Sequence, residues 1–150
     1  MTLLFWSRRA RLFSAVRSGN VSAVRALVER RPGLVTATDK EGYTALHHAA
    51  REGHAGIVRY LVSRGADLEA GSGCGTRPLH LAALNGNYEV VAFLMEQGAD
   101  INAQGGSLSK MTPLEYAMAA PQLLPAMGRG YALRDRDAIV KLLQSHGAER

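Results

Sequence analysis

The chain has 150 residues, of which 47% are apolar, and this length and composition are typical of one globular domain. Its single cysteine, Cys74, excludes an internal disulfide and fits a reducing compartment. Because no apolar run approaches about 18 residues, we expect no membrane span. A cytoplasmic location is therefore expected, with the nucleus as an alternative.

The formal net charge of +5 is concentrated at the N-terminal end of the chain. Residues 1–31 contain seven arginines and one acidic residue, Glu29, whereas the rest of the chain is nearly neutral. Residues 1–10 are interpreted as a basic lead-in to the first helix. A mitochondrial transit peptide is the alternative, because the segment is rich in arginine and lacks acids. Leu12–Val16 belong to the repeat that follows, which argues against removal of the whole segment.

Helix pairs are predicted along the chain from apolar periodicity and glycine positions. The first pair lies in LFSAVRSGNVSAVRALV, with Gly19 between its two helices. In TALHHAARE, Leu46, Ala49 and Ala50 have the i, i+3, i+4 spacing of one helix face. Gly53 is expected to end that helix in a left-handed conformation. A second helix is predicted to follow, with Ile57, Val58, Leu61 and Val62 facing inward.

An internal repeat connects these elements. The segments 42–70 and 75–103 are identical at 12 of 29 positions when shifted by 33 residues. Six positions are assigned as structural repeat positions: His47, His80, Gly53, Gly86, Leu61 and Leu94. A lone helix pair cannot bury its own apolar face, so stacking of the pairs is predicted. Four leucines are expected to form one continuous ladder through the stack: Leu27, Leu61, Leu94 and Leu143.

The fourth unit is more irregular than the others. Thr112-Pro113-Leu114-Glu115 opens it, and Ile139–Leu143 followed by Gly147-Ala148 closes it. The distance between these parts indicates an insertion near residues 121–134.

The segments TALHHAAREGHAGIVRYLVSRGADLEA and RPLHLAALNGNYEVVAFLMEQGADINA resemble the ankyrin repeat, whose signature is T-P-L-H-x-A. The resemblance implies an all-α solenoid of about four helix-turn-helix units with short hairpin-like loops. The units are expected at about 11–38, 39–71, 72–104 and 105–150, in one domain over 11–150. Ala45 and Arg77 depart from the signature, and Glu115 stands where its histidine would be.

The stretch GYTALHHAAREGH raises the possibility of a metal or catalytic cluster formed by His47, His48, Glu52 and His54. A functional cluster and a repeat element predict different residues in the next copy. Only His47 returns, as His80; the other three positions become Leu81, Asn85 and Asn87. His47 and His80 are therefore interpreted as imidazoles that bond to loop backbone and hold adjacent turns together. No metal, no cofactor and no enzymatic activity are expected.

Three smaller features leave alternatives open. Cys74, between glycines and near Arg77, is a loop-tip contact residue or a reactive thiol. The glycine-rich stretches at 71–75 and 105–106 lack the strand, helix and motif of a phosphate loop. Leu123, Leu124 and Met127 either cap the core or form an apolar patch for a partner.

Repeat stacks bind partners through loop tips and the first helix of each unit, so the expected function is protein–protein interaction without catalysis or a small-molecule substrate. Tyr43, Arg51 and Leu84 are the first choices as energetic anchors. The alternative is a binder of nucleic acid or an acidic surface through the arginine-rich N-terminal segment. The candidate partner-binding residues are the variable, exposed positions: Arg17, Lys40, Glu41, Tyr43, Arg51, Glu52, Cys74, Thr76, Leu84, Asn85 and Met111.

Overall fold

A computed structural model describes the backbone of residues 2–106, 110–123 and 133–149, and the side chains of residues 8–106, 110–119 and 135–149. These ranges contain eight α-helices and one 3-10 helix over Pro32–Thr36. The predicted all-α solenoid is confirmed. The helices are α1 (Thr2–Arg17), α2 (Val21–Arg30), α3 (Ala45–Glu52), α4 (Ala55–Ser63), α5 (Pro78–Leu84), α6 (Tyr88–Glu96), α7 (Pro113–Leu123) and α8 (Leu133–Ser145).

The helices form two layers of antiparallel pairs. The inner helices α1, α3, α5 and α7 contact one another in chain order, and so do the outer helices α2, α4, α6 and α8. Short loops with isolated antiparallel bridges, Thr38 with Thr44 and Gly105 with Met111, project from the inner layer. This arrangement leaves one face made of inner helices and loop tips, and an opposite face made of outer helices.

Two leucine ladders fill the core between the layers. Leu12, Leu46, Leu79 and Leu114, one from each inner helix, are at most 2% exposed. Leu61, Leu94 and Leu143 are fully buried in the outer layer. Leu27, expected in the same ladder, is only partly buried, because it lies on the side of α2 that no other described helix covers.

The N-terminal segment differs from the expectation of a lead-in. Residues 2–10 are the first part of α1 and not a separate segment before it. Extending an existing helix costs little once it is nucleated, and no glycine or proline interrupts TLLFWSRRARLFSAVR. The expected insertion near 121–134 lies mostly in 124–132, outside the described residues.

Helices α3 and α7 begin with reciprocal capping bonds. The Nδ1 of His47 accepts from the Thr44 N–H at 3.1 Å, and Thr44 Oγ1 accepts from the His47 N–H at 3.4 Å. In α7, Glu115 replaces the histidine: its carboxylate accepts from the Thr112 N–H at 2.7 Å, and Thr112 Oγ1 accepts from the Glu115 N–H at 3.3 Å. The departure at Glu115 therefore preserves the cap.

The departure at Arg77 is explained by contacts between neighbouring loops. Its guanidinium forms ion pairs with the carboxylates of Glu69 and Asp100. The other Glu69 oxygen accepts from the Asp100 N–H at 2.8 Å. Glu69 and Asp100 belong to consecutive units and lie in the loops after α4 and α6, so Arg77 connects two repeats.

Cation–π contacts join the outer helices at repeating positions. The Arg25 guanidinium of α2 lies 4.9 Å from the ring centre of Tyr60 in α4. Arg59 of α4 lies 4.6 Å from the ring centre of Phe93 in α6. Each arginine packs on the aromatic ring of the next unit, which stabilises stacking in addition to burial.

Truncation of Leu61 or Leu94 to alanine should lower the free energy of unfolding by about 2 to 5 kcal/mol, because each removes a fully buried side chain. Leu27→Ala is the matched control and should cost less, because Leu27 is only partly buried. Urea denaturation followed by circular dichroism measures all three. Equal losses for Leu27→Ala and Leu61→Ala would contradict the stacked core.

Candidate functional site

His47 connects the loop of its own unit to that of the next unit. Its ring is fully buried, and Nε2–H donates to the Thr76 carbonyl at 2.9 Å. Because Nδ1 accepts the Thr44 N–H, the proton must lie on Nε2. Burial lowers the pKa of His47 below 6.5, which outweighs the bond to the Thr76 carbonyl. The ring is therefore neutral, and both of its nitrogens form hydrogen bonds that hold the two loops together.

His80 makes the same connection one unit later. Its Nδ1 accepts from the Arg77 N–H at 3.1 Å, and Nε2 lies 2.9 Å from the Ala103 carbonyl and 3.0 Å from the Met111 carbonyl. Burial lowers its pKa as well. These bonds fix the position of the fourth unit's loop against the third.

The loop tips also contact one another directly through backbone hydrogen bonds. The Gly73 N–H donates to the Glu41 carbonyl at 2.9 Å, and the Gly106 N–H donates to the Cys74 carbonyl at 3.1 Å. Gly42 has a φ of +85°, and a Cβ there would lie 2.6 Å from Gly73 N, so this approach requires glycine. The loop tips consequently form one ridge along the inner face.

Behind this ridge, a chain of polar contacts holds Arg51. The carboxylate of Asp39 accepts from the Glu41 and Tyr43 N–H groups at 3.0 and 2.9 Å, and from His48 Nε2–H at 2.8 Å. Arg51 Nη2 donates to His48 Nδ1 at 3.1 Å. The Arg51 guanidinium therefore has a fixed orientation on the inner face.

The protonation states of this chain follow from its surroundings. Burial lowers the pKa of His48, and the positive charge of Arg51 lowers it further, against the opposing effect of Asp39. Burial would raise the pKa of Asp39, but the hydrogen bonds from Tyr43, His48 and Glu41 together lower it. The contact between Asp39 and His48 is thus a hydrogen bond from a neutral imidazole to a carboxylate.

Aromatic rings cover these polar groups on the inner face. The half-buried Tyr43 ring lies 5.3 Å from the His47 ring, edge to face, and 6.0 Å from the His48 ring. Phe13 of α1 also packs against the His48 ring, and the two ring centres are 5.2 Å apart. Tyr43 therefore packs against two residues of α3, and one of them, His48, also contacts Arg51.

Comparison with known proteins agrees with this geometry. The family described as "Ankyrin repeats (3 copies)" matches residues 8–72, and the family described as "Ankyrin repeats (many copies)" matches residues 61–117. The chain belongs to the ankyrin-repeat family.

Curated ankyrin-repeat relatives match only part of the chain. Mouse protein phosphatase 1 regulatory subunit 27 is 41% identical over 69 residues, which is 46% of this chain and 44% of that protein. Ankyrin repeat domain-containing protein 49 from Bos taurus is 39% identical over 59 residues, or 39% of this chain and 25% of its own length. Alpha-latroinsectotoxin-Lt1a from Latrodectus tredecimguttatus is 42% identical over 59 residues, or 39% of this chain and 4% of its own length. The chain thus spans less than half of each relative.

The candidate partner-binding residues differ in exposure on the ankyrin frame. Arg17, Lys40 and Glu41 are exposed. Seven are half-buried, with part of the side chain at the surface: Tyr43, Arg51, Glu52, Cys74, Leu84, Asn85 and Met111.

The expected exposure of Thr76 is wrong. Thr76 is 3% exposed, its N–H donates to Ser72 Oγ at 3.2 Å, and its carbonyl accepts from His47. It is covered because it lies on the buried side of the hairpin-like loop. Asn85, although half-buried, uses its side-chain amide to donate to the Leu81 carbonyl at 2.8 Å.

Sequence reasoning missed the contributions of Asp39 and His48. Both hold Arg51 and Tyr43 in place, but the contact between Asp39 and His48 does not recur in the next unit, where Ser72 and Leu81 replace them. The available signal was an aspartate at the start of the turn DKEGY, a position where its carboxylate commonly accepts loop N–H groups.

The three histidines of the stretch GYTALHHAAREGH bond to different partners. His54 Nε2 lies 3.2 Å from the Arg17 carbonyl, while His47 and His48 bond to Thr76 and Asp39. Over the described residues, no group of three or more histidine, cysteine or acidic side chains could hold a metal ion.

The side chain of Leu123, together with Leu124 and Met127, lies outside the described residues. In the same ranges, no helix is long and apolar enough to cross a membrane.

Cys74 has an acidified thiol at the loop tip. Hydrogen bonds from the hydroxyls of Ser72 and Thr76, with Sγ–Oγ distances of 3.2 and 3.3 Å, lower its pKa to about 7. The side chain is half-buried, so a reagent can reach it. The Cys74 thiol therefore ionises more readily than an ordinary cysteine thiol.

The rate of Cys74 alkylation by iodoacetamide should rise with a midpoint near pH 7, and not near the ordinary thiol value of 9.0. Ser72→Ala should move the midpoint upward, because it removes the strongest stabilising hydrogen bond. Thr76→Val should also move the midpoint upward, and it provides a second test if Ser72→Ala disturbs the loop. A midpoint near 9 in the unmodified chain would contradict the described contacts.

The free energy of unfolding should fall as pH drops below about 6.5, because the unfolded chain binds protons that buried His47, His48 and His80 do not. Each histidine contributes up to about 1.4 kcal/mol per pH unit between its unfolded and its lower folded pKa. Urea denaturation between about pH 7.5 and about pH 5.5 measures the slope. His80→Gln should reduce it, because it removes one of these buried imidazoles. An unchanged slope in His80→Gln contradicts the prediction.

Proposed function

We propose that this chain is a non-enzymatic protein-binding module, and that it acts as an adaptor in the cytoplasm. Its partner polypeptide lies along the concave face formed by the loop ridge and the inner helices. Ankyrin repeats are generally protein–protein interaction modules, and one relative is named as a regulatory subunit of protein phosphatase 1. The specific partner site is carried by one observation: Arg51 and Tyr43 both contact the His48 ring, which holds them on this face.

The physical case rests on the cost of ordering side chains during binding. An arginine that is free in solution loses rotamer freedom on binding, and this loss reduces affinity. Arg51 is already ordered by His48 and Glu52, and Tyr43 by packing on His47. Tyrosine and arginine also dominate measured interface energies. A partner carboxylate or backbone carbonyl beside the Tyr43 ring is the group this pair suits best.

The exposed charges at both sides of the pair define its rim. Arg17 lies toward unit one, and Lys40 and Glu41 lie at the loop tip, where they pair with each other at 3.6 Å. Leu84 continues the face toward unit three as a half-buried apolar contact. The face therefore offers an aromatic and arginine centre with a polar rim, which is the composition of protein interfaces.

The nucleic-acid alternative has less support. Base stacking would require exposed aromatic rings near the basic helix, but Phe13 is 6% exposed and packs on His48. The basic residues of α1 are therefore not accompanied, in the side chains that the structure describes, by a stacking platform.

Capture of binding partners from cell extract tests the proposal. The double variant Tyr43→Ala/Arg51→Ala should lose bound protein by about tenfold or more, because it removes the two anchors. The matched control Tyr88→Ala/Arg31→Ala removes the same residue types at exposed sites elsewhere and should retain binding. Thermal melting shows whether each variant is folded. Equal capture by both variants, or equal loss in both, contradicts the concave site.

A further inference from the structure

A groove of about 450 Å³ lies between α1 and α2, on the side of the first helix pair that is opposite to the second pair. Its floor is made of small and apolar side chains, and Arg11, Ser14 and Asn20 lie at its edges. The floor residues are Ala15, Ala23, Ala26 and Leu27. This groove is separate from the concave face, where Tyr43 and Arg51 lie.

The repeat identifies this groove as a stacking surface. Thirty-four residues later, Ala15, Ala23 and Leu27 correspond to Ala49, Ile57 and Leu61. All three are fully buried, because helices α1 and α2 cover them. No described helix covers the equivalent side of the first pair, where Leu27 remains partly exposed. The surface thus has the shape and composition of one that packs against a helix.

Asn20 provides a second, polar indication of what fits there. Its counterpart Asn87 donates through Nδ2 to the Ala50 and Arg51 carbonyls at the end of α3, at 2.7 and 2.9 Å. His54, at the same repeat position, bonds to the carbonyl of Arg17 at the end of α1. Asn20 uses Oδ1 to cap α2, accepting from the Ala23 N–H at 3.0 Å. Its Nδ2 makes no hydrogen bond within the described ranges and remains available for helix-terminal carbonyls.

The charge around the groove is positive. Arg8 and Arg11 lie on the same stripe of α1 as Ala15, and Arg30 lies on the same stripe of α2 as Ala23 and Leu27, by the i, i+3, i+4 rule. No ion pair in the described part of the chain involves these three arginines. Glu29 lies three residues after Ala26, which also lines the groove, so one carboxylate stands beside three guanidinium groups and the local charge stays positive. An occupant with acidic side chains at its edges is complementary to this surface.

We propose that this groove binds an acidic amphipathic α-helix of a partner protein. The apolar side of that helix packs on Ala15, Ala23 and Leu27, and its carboxylates pair with Arg8, Arg11 and Arg30. Its last turn lies at Asn20, whose Nδ2 donates to the terminal carbonyls. Small residues on the floor allow the close approach that helix packing requires. A polyanion without an apolar side would leave this floor uncovered.

Fluorescence anisotropy with a labelled synthetic peptide tests the proposal on the full chain. The probe is an amphipathic helix of glutamate, leucine and alanine, and its comparison is a scrambled peptide of equal composition and charge. The helical peptide should bind about tenfold more tightly or better, because only it presents a continuous apolar side. Equal binding of both peptides would overturn the proposal.

Three variants locate the peptide. Arg11→Glu/Arg30→Glu should weaken binding by about tenfold or more, whereas the exposed Lys141→Glu should leave it unchanged. Asn20→Asp keeps an oxygen that caps α2 but replaces the donor by a negative charge, so it should weaken binding without loss of thermal stability. Unchanged affinity in both groove variants, or equal loss in Lys141→Glu, overturns the proposal.

Other occupants give different results. Tighter binding of duplex DNA or anionic vesicles than of the helical peptide would assign the basic surface to polyanions and overturn the proposal. Self-association that Arg11→Glu/Arg30→Glu abolishes would assign the groove to a second copy, and would overturn it too. Tyr43→Ala/Arg51→Ala should not affect peptide binding, so failure of this proposal is distinguishable from failure of the concave site.

Discussion

Each buried imidazole of His47 and His80 connects two consecutive ankyrin units, and the rest of the structure depends on this connection. One ring nitrogen caps the helix of its own unit, and the other donates to a loop carbonyl of the next unit, Thr76 for His47 and Met111 for His80. No helix pair can bury its apolar face alone, so every unit needs its neighbour in a defined register. The imidazoles set that register at the loops, while leucines and cation–π contacts set it between the helices.

Both proposed binding surfaces follow from this stacking. On the concave side, fixed loops create the ridge that positions Tyr43 and allow Asp39 and His48 to hold Arg51. At the first helix pair, the same stacking geometry leaves a surface whose counterparts are buried in later units. A folded solenoid can therefore present two chemically different sites, an aromatic and arginine face and a basic groove with an apolar floor.

The sequence predicted the features that repeat and missed those that do not. The period of 33 residues, the glycines and the buried leucines were sufficient to predict the all-α stack. The burial of Thr76 was not predictable, because which loop residues turn inward depends on hairpin geometry. The contact between Asp39 and His48 occurs in one unit. Comparison of the units therefore made these two residues look like ordinary variable positions. The groove was not predicted, because in the sequence its residues look like ordinary positions on an apolar helix face.

Nitrogen-15 NMR of the imidazoles tests the central claim most directly, because the chemical shifts of the two ring nitrogens report which one carries the proton. At neutral pH, His47 and His80 should both be neutral, with the proton on Nε2 and with slow exchange of that proton with water. The exposed His146 provides an internal comparison. A proton on Nδ1, or a rapidly exchanging Nε2–H in either ring, would contradict the connection between units.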